Sequence, residues 1–230
     1  MIILLLSAGL PVVIFLVAIY RKDTIKEPPK MILKCFFFGC LATIPILFIE
    51  QFVSGFNVFT TPHWYAFYDA FITAALVEEG VKFLFLYWII WKSREFDQYY
   101  DGIVYAVFIS LGFAFIENIL YVAEYGFGTA ILRAVLSIPG HGLFGVAMGY
   151  FFALAKFSVK HKGGLLWLSF FVPFLFHGIY DFILMYIGES DNGLLILLLF
   201  LGLIALMIFM WRLCIGYIRK HHAKDSQALY

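Results

Sequence analysis

Apolar residues run along this chain in long blocks, near 2–20, 31–53, 64–91, 101–124, 133–156, 164–187 and 193–216. Each block is close to or longer than the roughly 20 mostly apolar residues that a helix needs to cross the hydrocarbon core of a bilayer. Polar punctuation separates them: RKDTIKEPPK at 21–30, a Gly/Asn/Thr/Pro stretch at 54–62, KSREFDQYYD at 92–101, KFSVKHKGG at 156–164 and GESDNG at 188–193. The pattern predicts an all-α polytopic membrane protein, with about seven transmembrane helices bundled around a polar intramembrane site. No soluble domain, linker or internal repeat stands out, so residues 1–230 read as a single integral membrane domain. The tail from about 219 to 230 is expected to be disordered. Residues 1–20 read as a first span, because no positive stretch precedes the apolar run and no small-x-small cleavage site follows it.

Composition strengthens this reading. At 63% hydrophobic and 13% charged residues the chain is too apolar for a soluble domain, so its solvent is the lipid bilayer. A formal net charge of +1 gives no reason to expect a nucleic-acid partner. Cys35, Cys40 and Cys214 form no CxxC pair and read as packing residues.

Position matters more than total charge. Of 16 basic residues, 13 fall in one alternating set of loops and ends: Arg21 to Lys30, Lys92 and Arg94, Lys156 to Lys162, and Arg212 to Lys224. Positive residues collect on the cytoplasmic side, so the N-terminus is expected outside and the C-terminus in the cytoplasm. Arg133 is the exception on the other side. Trp64 and Tyr65 at one end of the third block, and Trp88 and Trp91 at the other, suit interfacial anchors.

Ionisable residues inside the spans are the candidates for chemistry, since each costs at least about 2.5–3.5 kcal/mol near the bilayer centre. The third span holds Glu78 and Glu79, with Lys82 a turn later. Glu78 and Lys82 share a face while Glu79 points about 100° away, so an ion pair is expected to account for one glutamate and not for both. The fourth span carries Glu117 and Asn118, with Phe113 a turn earlier; Asp101 at its start reads as a cap. In the fifth, His141 follows Pro139 and Gly140, and Gly145 and Gly149 have the small-xxx-small spacing that lets helices approach closely. The sixth presents His177 and Asp181 at i and i+4. By rise per residue, His141, Glu117 and Asp181 lie about 10–12 Å from the outer ends of their spans, and Glu78 about 20 Å from the inner interface. Four helices thus place polar groups at similar depth.

Peptide hydrolysis inside a membrane needs held water, a base and a stabiliser for the oxyanion. A glutamate can be the base, and Glu79, with Lys82 assigned to Glu78, is slightly preferred. The histidines can bind a metal or donate hydrogen bonds. A set of His141, His177 and Glu117 resembles zinc sites that leave one position for water, yet no HExxH is present, and metal-free glutamate chemistry stays open beside zinc. No serine elbow occurs, and Asp181 lacks an aspartate partner.

The motifs EEGVK at 78–82, Phe113-x-x-x-Glu117-Asn118, GHGLFGVAMGY at 140–150 and HGIYDF at 177–182 occur in order on successive spans and resemble those of the PrsW intramembrane proteases. That family is distantly similar to the prenyl-protein endopeptidases. The resemblance implies a membrane-embedded endopeptidase with Glu78, Glu79, His141 and His177 catalytic, supported by Lys82, Glu117, Asn118 and Asp181. It also implies a single-span membrane substrate, an anti-sigma factor cut on its extracytoplasmic side in a bacterial cell membrane, which releases an extracytoplasmic-function sigma factor after stress. Rival readings of the same residues are a proton-coupled transporter or channel, which would call for inverted repeats or broken helices, and a non-enzymatic membrane scaffold.

Overall fold

The computed structural model describes the backbone of residues 2–228 and the side chains of 6–227. Every regular element among them is helical: α1 Ile2–Lys22, α2 Pro29–Ser54, α3 Pro62–Tyr68, a π-helical stretch Asp69–Ala75, α4 Leu76–Ile90, α5 Tyr99–Tyr125, α6 Phe127–Val135, α7 Ser137–Phe157, α8 Lys162–Gly188 and α9 Gly193–Ala228. Because α3, the π stretch and α4 run on without a break, and α6 leads straight into α7, these elements make seven rods at the seven apolar blocks. Among the described residues, five stretches, namely α2, α5, α6–α7, α8 and α9, are long and apolar enough to cross a membrane. The chain is an all-α polytopic membrane protein.

α5 is the hub, packed against α1, α2, α4, α6, α7 and α9. Its residues Tyr100 to Ala114 are all buried. Glycine allows a close crossing with α7. A Cβ on Gly149 of α7 would sit 2.6 Å from the Ile103 Cα, and one on Gly145 would sit 2.9 Å from the Val107 Cα, both backbone atoms of α5. The small-residue spacing of the fifth apolar block is therefore an α5–α7 packing seam, held by contact between backbones. Outward faces carry exposed apolar side chains such as Phe48, Leu84 and Leu198, which suits contact with lipid tails.

Two local departures shape the interior. The π stretch sits one turn before the glutamate pair, and an extra residue in a turn re-aims every later side chain. The fifth apolar block is broken at Leu136, so that α6 is a separate short helix and Pro139 lies in the first turn of α7, where a missing N–H costs nothing.

The tail expected to be disordered is instead helical as far as Ala228, while Leu229 and Tyr230 lie outside the described residues. Asp225 explains this order. Its carboxylate accepts from the backbone N–H groups of Tyr99 (2.7 Å) and Tyr100 (2.9 Å), which have no partner inside α5. His221 donates to the Tyr150 carbonyl at 3.0 Å and stacks on that ring, and His222 stacks on Tyr100. Asp101 caps α5 as its sequence position suggests, accepting from Gln98 N–H at 2.7 Å.

Candidate functional site

The glutamates of α4 meet one cation. The Lys82 ammonium, with no solvent exposure, donates to Glu78 Oε2 at 2.8 Å and to Glu79 Oε1 at 2.9 Å. On a helix the residues three and four positions back are both neighbours, so one lysine serves both carboxylates. This corrects the expectation that an ion pair accounts for Glu78 alone. The ammonium also lies 4.2 Å from the centroid of the Phe113 ring on α5, a cation–π contact.

α7 adds His141. Its Nδ1 is 3.4 Å from Lys82 Nζ, and its Nε2 is 3.0 Å from Glu117 Oε2 on α5. Lys82 has only protons to give, so Nδ1 accepts and Nε2–H donates to Glu117. Glu117 is held from the other side by Arg133 of α6, whose Nη2 donates at 2.5 Å while its Nε donates to the Asn118 side-chain oxygen at 2.9 Å. Asn118 in turn donates to the Ala8 carbonyl of α1 at 2.9 Å. It ties α1, α5 and α6 together behind the site.

α8 closes the network. His177 Nδ1 lies 2.9 Å from Glu79 Oε1, and its Nε2 lies 3.0 Å from Asp181 Oδ2, one turn along the same helix. Both ring nitrogens are committed to carboxylates. The ring stacks on Phe144 of α7, centroids 4.8 Å apart, which fixes its plane. Thus all eight residues singled out from the sequence join one continuous polar network across α4, α5, α7 and α8. Asn118 enters it as a tie between helices.

Beside the network is a cavity of about 860 Å³, reaching from Glu78, His141 and His177 to Glu50, Glu124 and Met185 near helix ends. Glu78 lines it. Glu79 does not, being fully buried between Lys82 and His177. The glutamate slightly preferred from sequence as general base thus lies away from the cavity, and Glu78 faces it.

The metal question can be put to the same atoms. Glu78, Glu79 and His141 each offer a donor lying within 4.8 Å of the others, and as buried oxygen and nitrogen ligands they could hold a metal ion. Of the ligands proposed from sequence, only His141 belongs to this group; His177 is spanned by two carboxylates, and Glu117 is bound to Arg133 and His141. Yet Lys82 sits among these same donors, at 2.8, 2.9 and 3.4 Å. Zinc would need bonds of about 2.0–2.2 Å to them, and a dication cannot share that space with an ammonium. As arranged, the residues fit their own tethered cation and do not fit zinc unless Lys82 withdraws.

Sequence reading missed three contributors. Arg133 reads from the sequence as a loop cation, although being the one basic residue at an outer end of a span is its signal. Glu50, near the end of α2, lines the cavity, as does Tyr180, whose position three residues after His177 puts both on one face of α8.

Comparison with known proteins agrees with the motifs. The sequence model of the family described as PrsW family intramembrane metalloprotease matches residues 27–211. A protein named Protease PrsW from Geobacillus kaustophilus is 44% identical over 183 residues, covering 79% of this chain and 80% of that relative. One of the same name from Oceanobacillus iheyensis is 46% identical over 182 residues (78% of this chain, 82% of the relative), and one from Bacillus subtilis is 38% identical over 210 residues (90% of each). No solved structure matches the chain.

Proposed function

Starting from the fact that the chain belongs to the PrsW family of intramembrane proteases, we propose that it cuts a single-span membrane protein, an anti-sigma factor, on its extracytoplasmic side, so that an extracytoplasmic-function sigma factor is later released. The observation that carries this reading is the position of Glu78, at once bonded to a buried ammonium and open to the cavity. The positive-charge pattern supports an orientation with the cavity facing the outside of a bacterial cell membrane and the C-terminus in the cytoplasm.

In the proposed mechanism Glu78 takes a proton from a water in the cavity, and the water oxygen attacks the scissile carbonyl carbon. The carbonyl π pair moves to oxygen. When the tetrahedral intermediate collapses, the C–N electron pair leaves with the amine, which takes the proton back from Glu78. Lys82 holds the Glu78 carboxylate in its working rotamer and supplies fixed positive charge in a site of low dielectric. His141 presents its N–H to Glu117, and Glu79 and Asp181 orient His177, so that the two imidazoles form rigid walls for the substrate backbone. The reaction is of the glutamate type, because Lys82 holds the place a metal would take.

The test is co-reconstitution in vesicles with a single-span reporter that carries an extracytoplasmic domain. Wild type truncates the reporter, Glu78→Gln does not while still folding, and a chelator leaves the rate unchanged. A fully active Glu78→Gln variant would refute the assignment of the base. One equivalent of bound metal, with activity lost on chelation, would refute the metal-free reading.

A further inference from the structure

Oxyanion stabilisation needs a donor free to point at the substrate carbonyl, and most donors of the site are already engaged. Lys82 gives its protons to Glu78, Glu79 and His141. His141 Nε2–H is directed at Glu117, and both ring nitrogens of His177 face carboxylates. Arg133 commits its Nε–H to Asn118 and an Nη2–H to Glu117, and its guanidinium lies over the Tyr121 ring at 4.1 Å.

Tyr180 differs. It is 4% exposed, it lines the cavity together with Glu78, His141 and His177, and its hydroxyl has no hydrogen-bond partner among the described residues. A buried hydroxyl left unpaired is destabilising, and buried polar groups are otherwise nearly always satisfied. The ring itself is well held. It packs edge-on against Phe144, centroids 6.1 Å apart, and Phe144 is the same ring that stacks on His177. The side chain is therefore fixed in place next to the catalytic histidine, with its polar end uncommitted.

We propose that Tyr180 is a catalytic residue whose phenolic O–H donates a hydrogen bond to the oxyanion of the tetrahedral intermediate. The proton stays on Tyr180; only the hydrogen bond forms as charge develops on the former carbonyl oxygen, and it is released when the C=O bond is restored. This proposal rests on the protease reading. Thr43 of α2 carries the other fully shielded hydroxyl oxygen on the cavity wall without a partner among the described residues, but it lies on a helix that supplies none of the eight network residues.

The experiment is Tyr180→Phe, which deletes one oxygen, assayed in vesicles with the single-span reporter beside wild type and Glu78→Gln. Loss of one oxyanion donor lowers kcat by about 10²–10³-fold, with KM unchanged. Because the hydroxyl has no partner among the described residues, the Tm of Tyr180→Phe is expected to equal or exceed that of wild type. A merely structural tyrosine would give the opposite result, a lower Tm with kcat kept in the folded fraction. The proposal is overturned if kcat is retained, if kcat and Tm fall together, or if Thr43→Val loses kcat while Tyr180→Phe does not. Cleavage by wild type and its loss in Glu78→Gln support the protease reading whatever Tyr180→Phe does; a wild type that never cleaves the reporter overturns both.

Discussion

Replacing Lys82 by methionine tests the centre of the site most directly. Methionine keeps most of the side-chain volume and the unbranched stem, so what is lost is the charge and its hydrogen bonds. Lys82 is fully buried and makes ion pairs of 2.8 and 2.9 Å. Without it, Glu78 and Glu79 would face one another uncompensated, and breaking a buried pair in this way costs about 3–5 kcal/mol. In a chain of 230 residues, where 1 kcal/mol shifts Tm by about 2–4 °C, that corresponds to a drop of about 6–20 °C. The assay is thermal unfolding in detergent of wild type, Lys82→Met, Glu79→Gln and the double variant. Adding Glu79→Gln to Lys82→Met removes one stranded charge, so the double variant should melt above Lys82→Met alone; the non-additivity measures the coupling. Lys82→Met should also bind zinc where wild type does not, since it frees the Glu78, Glu79 and His141 donors. If Lys82→Met melts with wild type, the ammonium does not hold the carboxylates and the reasoning fails.

Three further outcomes follow from parts of the fold outside the site. Asp225→Ala should lower stability by about 1–2 kcal/mol through loss of a helix cap, read as a lower Tm; a disordered tail would give no change. Gly149→Leu should cost at least about 1–3 kcal/mol, because its new side chain meets the Ile103 backbone, which cannot yield; wild-type stability would show that α5 and α7 can separate freely. Glu27, in the loop after α1, accepts from the Tyr105 hydroxyl, and burial followed by the nearby Asp101 carboxylate pushes it up to about 10. The folded state therefore holds a proton that the unfolded chain loses near the usual carboxylate value. This contribution is fully present below that value and is lost as pH rises toward about 10. Glu27→Gln should flatten the fall of Tm with pH across that window, and an unchanged slope would show that Glu27 does not titrate this way.

Hydropathy and helical period decided a great deal by themselves. Blocks of about 20 apolar residues force helices, so the seven rods, the all-α class and the shared depth of Glu78, Glu117, His141 and Asp181 follow from the order of residues along the chain. The cost of burying charged and polar groups in lipid marks all eight residues of the polar network before any contact is known, and the glycines of α7 announce the seam with α5.

Pairings between helices are another matter, because the rotation of each helix about its axis is set by packing and has no signature along the chain. Only the folded bundle shows that the packing of α4 brings Lys82 against His141, turns Glu78 toward the cavity and leaves Glu79 behind it. Only the fold brings Arg133 from α6 to Glu117, and Asp225 across about 125 residues to the start of α5. The tail looked disordered because its polar residues had no visible partners in the sequence; the partners are the free N–H groups of a distant helix. In the same way, Tyr180 counts as one more aromatic residue in an apolar run until the structure shows it lining the cavity with a hydroxyl that is buried and, among the described residues, unpaired.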